Sequence, residues 1–146
     1  MKKSLFLVVA LSLALLFTGC TSSTVTKTDP IKFLDFSLSS EEGVDFPICT
    51  LNFKNTGTKT INRVFLNVRA WDIDGEIVKG FGMADMWNIF YEEPTKSGET
   101  AAINWIMEGF EGVHTVEASL WVIVLEDSTE WVPEVGDPKF IMTESY

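Results

Sequence analysis

The alternation in "INRVFLNVRAW", residues 61–71, constrains this chain more than any other feature. Val64, Leu66, Val68 and Ala70 fall on one side of an extended segment, and Phe65, Asn67, Arg69 and Trp71 on the other. A period of two suits a strand with one buried face, whereas a helix needs apolar residues three and four apart. The same period returns along the chain. Cys49, Leu51 and Phe53 share a face in "ICTLNFK", as do Leu34, Phe36 and Leu38 in "KFLDFSL". "TAAINWIM" aligns Ala101, Ile103, Trp105 and Met107, and "VHTVEASLWVIVL" aligns Val116, Ala118, Leu120, Val122 and Val124. Turn signals separate these runs: Asn55 and Gly57 in "NTGTK", the two-residue hairpin signal Asp74-Gly75 leading into "EIV", and "EDSTEW". Short strands with turns every 8–12 residues or so predict an all-β fold, a two-sheet antiparallel sandwich. Residues 81–94, "FGMADMWNIFYEEP", fit two patterns: Met83, Met86, Trp87 and Phe90 form a helical stripe, while Trp87, Ile89 and Tyr91 alternate. We read a strand, because a lone helix on a small sandwich needs a docking surface of its own.

The amino end follows a different rule. Lys2 and Lys3 precede "LFLVVALSLALLF", residues 5–17, in which Ser12 alone interrupts the apolar run. A membrane-crossing helix needs about 20 apolar residues, so this segment is too short to be one. It has the positive start, short apolar core and small residues of a cleaved secretory signal. Thr18, Gly19 and Cys20 complete the ending of a bacterial lipoprotein signal, which the segment resembles. That resemblance implies a diacylglycerol on the Cys20 sulfur and cleavage between Gly19 and Cys20. Phe17 stands where the family usually has leucine. The alternative is an ordinary cleaved signal with an incidental cysteine. Two or three acyl chains hold a protein stably at a bilayer without crossing it. The expected location is therefore the cell membrane or outer membrane, with the lipid on Cys20 as anchor.

Removing residues 1–19 leaves 127 of 146, of which 20–30, ending in the Ser/Thr-rich "TSSTVTKTDP", read as a lipidated flexible tether. Residues 31–146 remain for one domain, with no internal repeat or second boundary. Loss of Lys2 and Lys3 takes the net charge from −10 to −12. Such a polyanion is repelled by nucleic acid, which we exclude as a partner. With Cys20 lipidated, Cys49 has no partner for a disulfide, and its place on an apolar face reads as a small buried hydrophobe.

"FKNTGTKTINRVFLNVRAWDIDGEIV", followed by "SGET", resembles the FxLYD-type immunoglobulin-like domains of bacterial envelope proteins. Those have an Asn-turn, a strand ending Phe-x-Leu-Tyr-Asp, a Gly turn and a Pro-Gly-Glu. The matching positions here are Asn55; Val68, Ala70, Trp71 and Asp72; Gly75; and Ser97, Gly98 and Glu99. The resemblance spans roughly residues 31–132. It implies an immunoglobulin-like β-sandwich and carries no activity with it, since such folds host many functions.

Motifs for chemistry are sparse. "DIDGE", residues 72–76, places Gly75 at the fourth position of a would-be calcium loop that needs glycine at the sixth, so a hairpin turn is the better reading. His114 is the only histidine, which removes His-pair zinc motifs, and no G-x-S-x-G elbow occurs. No catalytic residue, metal site or cofactor is assigned. The aromatics are more informative. Trp71 and Trp121 point away from the core-facing sets of their strands, and Ile123 shares the Trp121 side by alternation. If the third and sixth strands are neighbours, Trp71, Trp121 and Ile123 mark a candidate interaction surface, unless 81–91 or the tail "KFIMTESY" covers it. The expected function is a non-catalytic, lipid-anchored interaction module with an envelope protein or glycan as partner. The alternative is a lipoprotein that binds an apolar small molecule.

Overall fold

A computed structural model describes residues 28–40, 46–80 and 84–146. Cys20, Gly19, the signal and most of the tether lie outside the described residues. Among the described residues, eight strands form two antiparallel sheets packed face to face, an immunoglobulin-like β-sandwich. They are β1 (Ile31–Ser39), β2 (Ile48–Asn55), β3 (Ile61–Trp71), β4 (Trp87–Tyr91), β5 (Thr100–Ile106), β6 (Thr115–Leu125), β7 (Glu130–Trp131) and β8 (Ile141–Ser145). One sheet is ordered β1-β2-β5; the other is β4-β3-β6-β7, with β8 also on β6.

The alternating faces meet in one core. Leu51, Phe53, Val64, Leu66, Val116 and Met107 are sealed from solvent within it, each large aliphatic or aromatic side chain contributing about 1.5–3 kcal/mol. Trp105 stacks on Phe36 at 5.7 Å between ring centres, and Cys49 sits opposite Trp105 across the β2–β5 ladder. Residues 87–91 form a strand, as the alternation predicts, and pair with β3.

Asn55 joins the two sheets. It ends β2, is fully buried, and its Nδ2 donates to the carbonyls of Lys59 (2.9 Å) and Thr95 (2.8 Å). Its Oδ1 accepts from the Gly57 N–H at 2.9 Å. Thr95 in turn exchanges both backbone hydrogen bonds with Ile61, the first residue of β3. The "NTGTK" turn is thus wired into the interior. Asp29 and Pro30, read from sequence as the end of the tether, are already fastened to the domain. The Pro30 carbonyl accepts from Thr56 and Gly57, and Lys139 pairs with Asp29 at 2.9 Å.

Two expectations from simple alternation are corrected by β-bulges, each of which adds one residue to a strand and reverses the faces beyond it. In β1 the register shifts between Phe33 and Asp35, so Ile31, Phe33 and Phe36 turn inward and Leu34 turns out. In β6 the pairing with β3 jumps from Leu66↔Leu120 to Phe65↔Val122, and Trp121 is the extra residue. Beyond it Ile123 faces the core and is completely buried, while Val122 and Val124 lie on the outside of the sheet. The expected strand "EIV" is also absent: Ile77 makes a single bridge to Trp71, and Val78 donates to the Ala70 carbonyl.

Candidate interaction surface

The outer face of the larger sheet is built by complementary alternation in three strands. β3 sends Phe65, Asn67 and Arg69 outward, β4 sends Asn88 and Phe90, and β6 sends Glu117, Ser119 and Trp121. The ladders align them in rows. Phe90 faces Phe65, and Phe65 meets the Trp121 bulge at 6.2 Å between ring centres, the planes at 78°. Asn88, Asn67 and Ser119 form the next row, and Arg69 faces Glu117 in the row beyond. On the other side Arg63 pairs with Glu92 at 3.2 Å. An aromatic stripe thus crosses three strands between polar rows. Phe90 is 63% exposed and Trp121 49%.

A groove of about 320 Å3 continues the stripe past Trp121. It exists because β6 is paired on that edge in two separate pieces. β7 takes Ile123 and Val124, β8 takes Thr115 to Ser119, and Leu120 to Val122 lie in neither ladder. Between the two pieces the chain swings out through residues 132–137 and returns by a short 3-10 helix, Pro138–Phe140. Asp137 caps that helix, accepting from the Lys139 N–H, and Phe140 plugs into Phe33 and Trp131. The excursion leaves Val135 on the groove wall 99% exposed.

Of the surface residues expected from sequence, Trp121 is in place, Ile123 is not, and Trp71 lies elsewhere. β3 and β6 are indeed neighbours, but Trp71 pairs with Thr115, six residues along β6 from Trp121, or about 20 Å. Trp71 is half-buried at the opposite end of the sheet, beside the Asp72–Glu76 turn. Among the described residues, β4 and β8, the strands of the two segments considered as a cover, extend the same sheet at its sides and do not lie over the stripe. Phe65 and Phe90 complete the surface. The signal for Phe65 was its outward phase in β3; for Phe90 it was the phase opposite to Trp87, Ile89 and Tyr91.

The remaining chemical motifs have local explanations. Asp72 Oδ1 accepts from the N–H groups of Asp74 and Glu76, both at 2.9 Å, and Gly75 takes the left-handed conformation at φ 82°. That carboxylate is turned to its own backbone. His114 ties the ends of β3 and β8 through its main chain, its N–H donating to Trp71 and its carbonyl accepting from Tyr146. Among the described residues no group of three His, Cys, Asp or Glu is placed to hold a metal ion. Burial pushes the Cys49 thiol up to about 12.

No protein-family model matches the chain, and no curated protein does. Its fold is similar to that of a hypothetical protein from Peptoclostridium difficile 630 solved by X-ray crystallography. The two share 10% identity and a TM-score of 0.56 over 82% of this chain and 96% of that one. At that identity the likeness concerns the fold alone.

Proposed function

We propose that this chain is a lipid-anchored envelope lipoprotein whose immunoglobulin-like domain is a non-catalytic interaction module, engaging a protein partner through Phe90, Phe65 and Trp121. The observation that carries this reading is the exposed aromatic stripe, flanked by amide, hydroxyl and paired charged side chains. Central aromatics within a polar rim are the usual anatomy of a contact hot spot. A protein partner fits better than a glycan. Sugar rings stack on flat aromatic platforms, whereas Phe65 and Trp121 meet nearly perpendicularly and form a notch suited to an inserted apolar side chain. The lipoprotein ending at Cys20 and the resemblance to FxLYD-type envelope domains support the location.

The apolar-ligand reading has less support. A hollow of about 620 Å3 near the amino end is lined by Ile31, Phe33 and Phe140, but all three are already buried against the core.

Intact-mass measurement of the exported protein tests the anchor, which requires the added mass of diacylglycerol on the cysteine. Photo-crosslinkers placed at Phe90 and at Ser37, on the other sheet, test the surface in cells. Adducts specific to position 90 are expected, and Phe65→Ala with Trp121→Ala should weaken that partner's binding about 30-fold or more, as truncation of a hot-spot pair does. Equal crosslinking at both positions, or unchanged affinity, refutes the reading.

A further inference from the structure

We propose that β5 is a docking edge for a second copy of this chain, the two β5 strands pairing antiparallel about a two-fold axis at Ile103. β5 ends the smaller sheet, and among the described residues no strand or bridge lies beyond it. The phase of its hydrogen bonds shows which groups are left over. The Asn55 N–H donates to the Glu99 carbonyl and the Met107 N–H to the Pro47 carbonyl, both at 2.9 Å and both in the register of the β2–β5 ladder. In an antiparallel pair alternate residues bond to the neighbour, so Ala101, Ile103 and Trp105 turn their main chain to β2. Thr100, Ala102, Asn104 and Ile106 turn theirs outward, a row of N–H and C=O groups along the edge. Their side chains are exposed on the outer face, Ile106 at 48%.

Proteins defend such edges with charge, proline or bulges. The opposite flank is defended: β1 has Lys32, Asp35 and a bulge, and the paired edge of β6 is broken into two pieces that carry Glu130 and Glu144. The β5 flank lacks these devices. β4 lies beneath β5, since Tyr91 meets Phe53, the ladder partner of Ala101, and Trp87 meets Phe110 past the other end. Neither strand has a charged residue, in a chain of which 22% are charged. The sequence of β5 also suits itself as the partner. With Ile103 on the axis, Thr100 faces Ile106, Ala101 faces Trp105 and Ala102 faces Asn104, so each pair sets a smaller residue against a larger one. Every outward N–H and C=O of both strands then finds a partner. At each end Glu108 of one copy comes level with Gly98 of the other, where Glu99 stands with Lys96 and Lys54, so the two signs balance. A two-fold axis through the sheet turns the aromatic stripes of both copies to the same side. The pairing does not depend on the lipid at Cys20.

The test mixes purified exported protein carrying Ala102→Cys with protein carrying Asn104→Cys under mild oxidation. Residues facing each other as a hydrogen-bonded pair have Cα atoms about 5.5 Å apart, within reach of a disulfide, whereas 102 to 102 or 104 to 104 is roughly 9 Å. A mixed disulfide is expected, with little from either variant alone and none from a Ser37→Cys control on β1. Sedimentation of the unchanged protein at physiological salt, which screens the net negative charge, should show dimer by about 100 µM. Ala102→Lys puts a charge into the edge and should weaken association about tenfold or more with the melting temperature unchanged, since residue 102 is exposed and bonds outward. Monomer alone up to that concentration, self-disulfides as abundant as the mixed one, or Ala102→Lys dimerising like the parent overturns the proposal. Adducts of these cysteines in cells with a different protein only, and none between copies, overturn it too.

Discussion

Truncating Asn55 to alanine is expected to lower the stability of the domain by about 3 kcal/mol. Three side-chain hydrogen bonds are lost, to Lys59, Thr95 and Gly57, at roughly 1 kcal/mol each when made, and more where a buried partner is left unsatisfied. With a urea slope of about 1.5 kcal/mol per molar for a domain of this size, the midpoint should fall by about 2 M. Asn55→Asp separates hydrogen bonding from mere volume. It keeps the acceptor for the Gly57 N–H but turns an anionic oxygen toward two carbonyls in a buried site. That raises the introduced carboxyl's pKa in the folded state. An acid whose folded pKa is raised binds its proton more tightly when folded, so stability of Asn55→Asp should fall as pH rises from about 4 toward neutrality. Paired urea titrations at pH 4 and 7 measure both effects. An alanine variant within about 0.5 kcal/mol of the parent, or an aspartate variant with the parent's pH dependence, would refute the role of Asn55 as the joint between sheets.

Three further outcomes follow from single side chains. Cys49, raised to about 12, should react with a thiol reagent at neutral pH only as fast as the domain opens, and rapidly in urea; prompt labelling of the native protein would contradict its burial. Asp127 is held down at about 2 by its hydrogen bond to Lys59, against an ordinary 3.8. A depressed carboxylate contributes stability above its unfolded pKa and loses it as pH falls, here between about 4 and 2, and Asp127→Asn should flatten the profile in that window. NMR titration of the Asp127 carboxyl carbon reads the value directly. Gly80→Ala would bring a methyl to 2.3 Å from the Phe110 ring, which packs on Trp87 at 4.8 Å. It should destabilise by about 1–3 kcal/mol in a thermal melt, and a neutral result would show that Phe110 can move freely.

Strand positions were legible in the sequence because period-two alternation reports burial directly, whereas the neighbouring of β3 and β6 entered only as a condition tied to the resembled fold and is given by their pairing. The inward sets of β2, β3 and β5 were read as they stand. What alternation cannot register is an inserted residue, because a bulge changes the phase without changing composition. That is why Leu34, the extra residue of one bulge, was grouped with Phe36 and Leu38, and Ile123, two residues past the Trp121 bulge, was assigned outward. The site was half legible for the same reason. Trp121 is outward under either phase, since it is the bulge itself. Its separation from Trp71 depends on register, which two strands read separately do not contain. Phe90 was placed with an alternative helical stripe; only pairing with β3 fixes its phase.

The bulge at position 121 has a consequence for how this protein can change over generations. The extra residue carries its side chain outside the interlocking that fixes Leu120 and Ile123, so its identity is nearly idle for folding. Tryptophan there can be traded for another side chain, altering what the face fits, while the scaffold stays as it is. Gaining or losing a residue in β6 would instead re-thread the strand and expel Ile123 from the interior. Variation at this spot is therefore free in kind and forbidden in number.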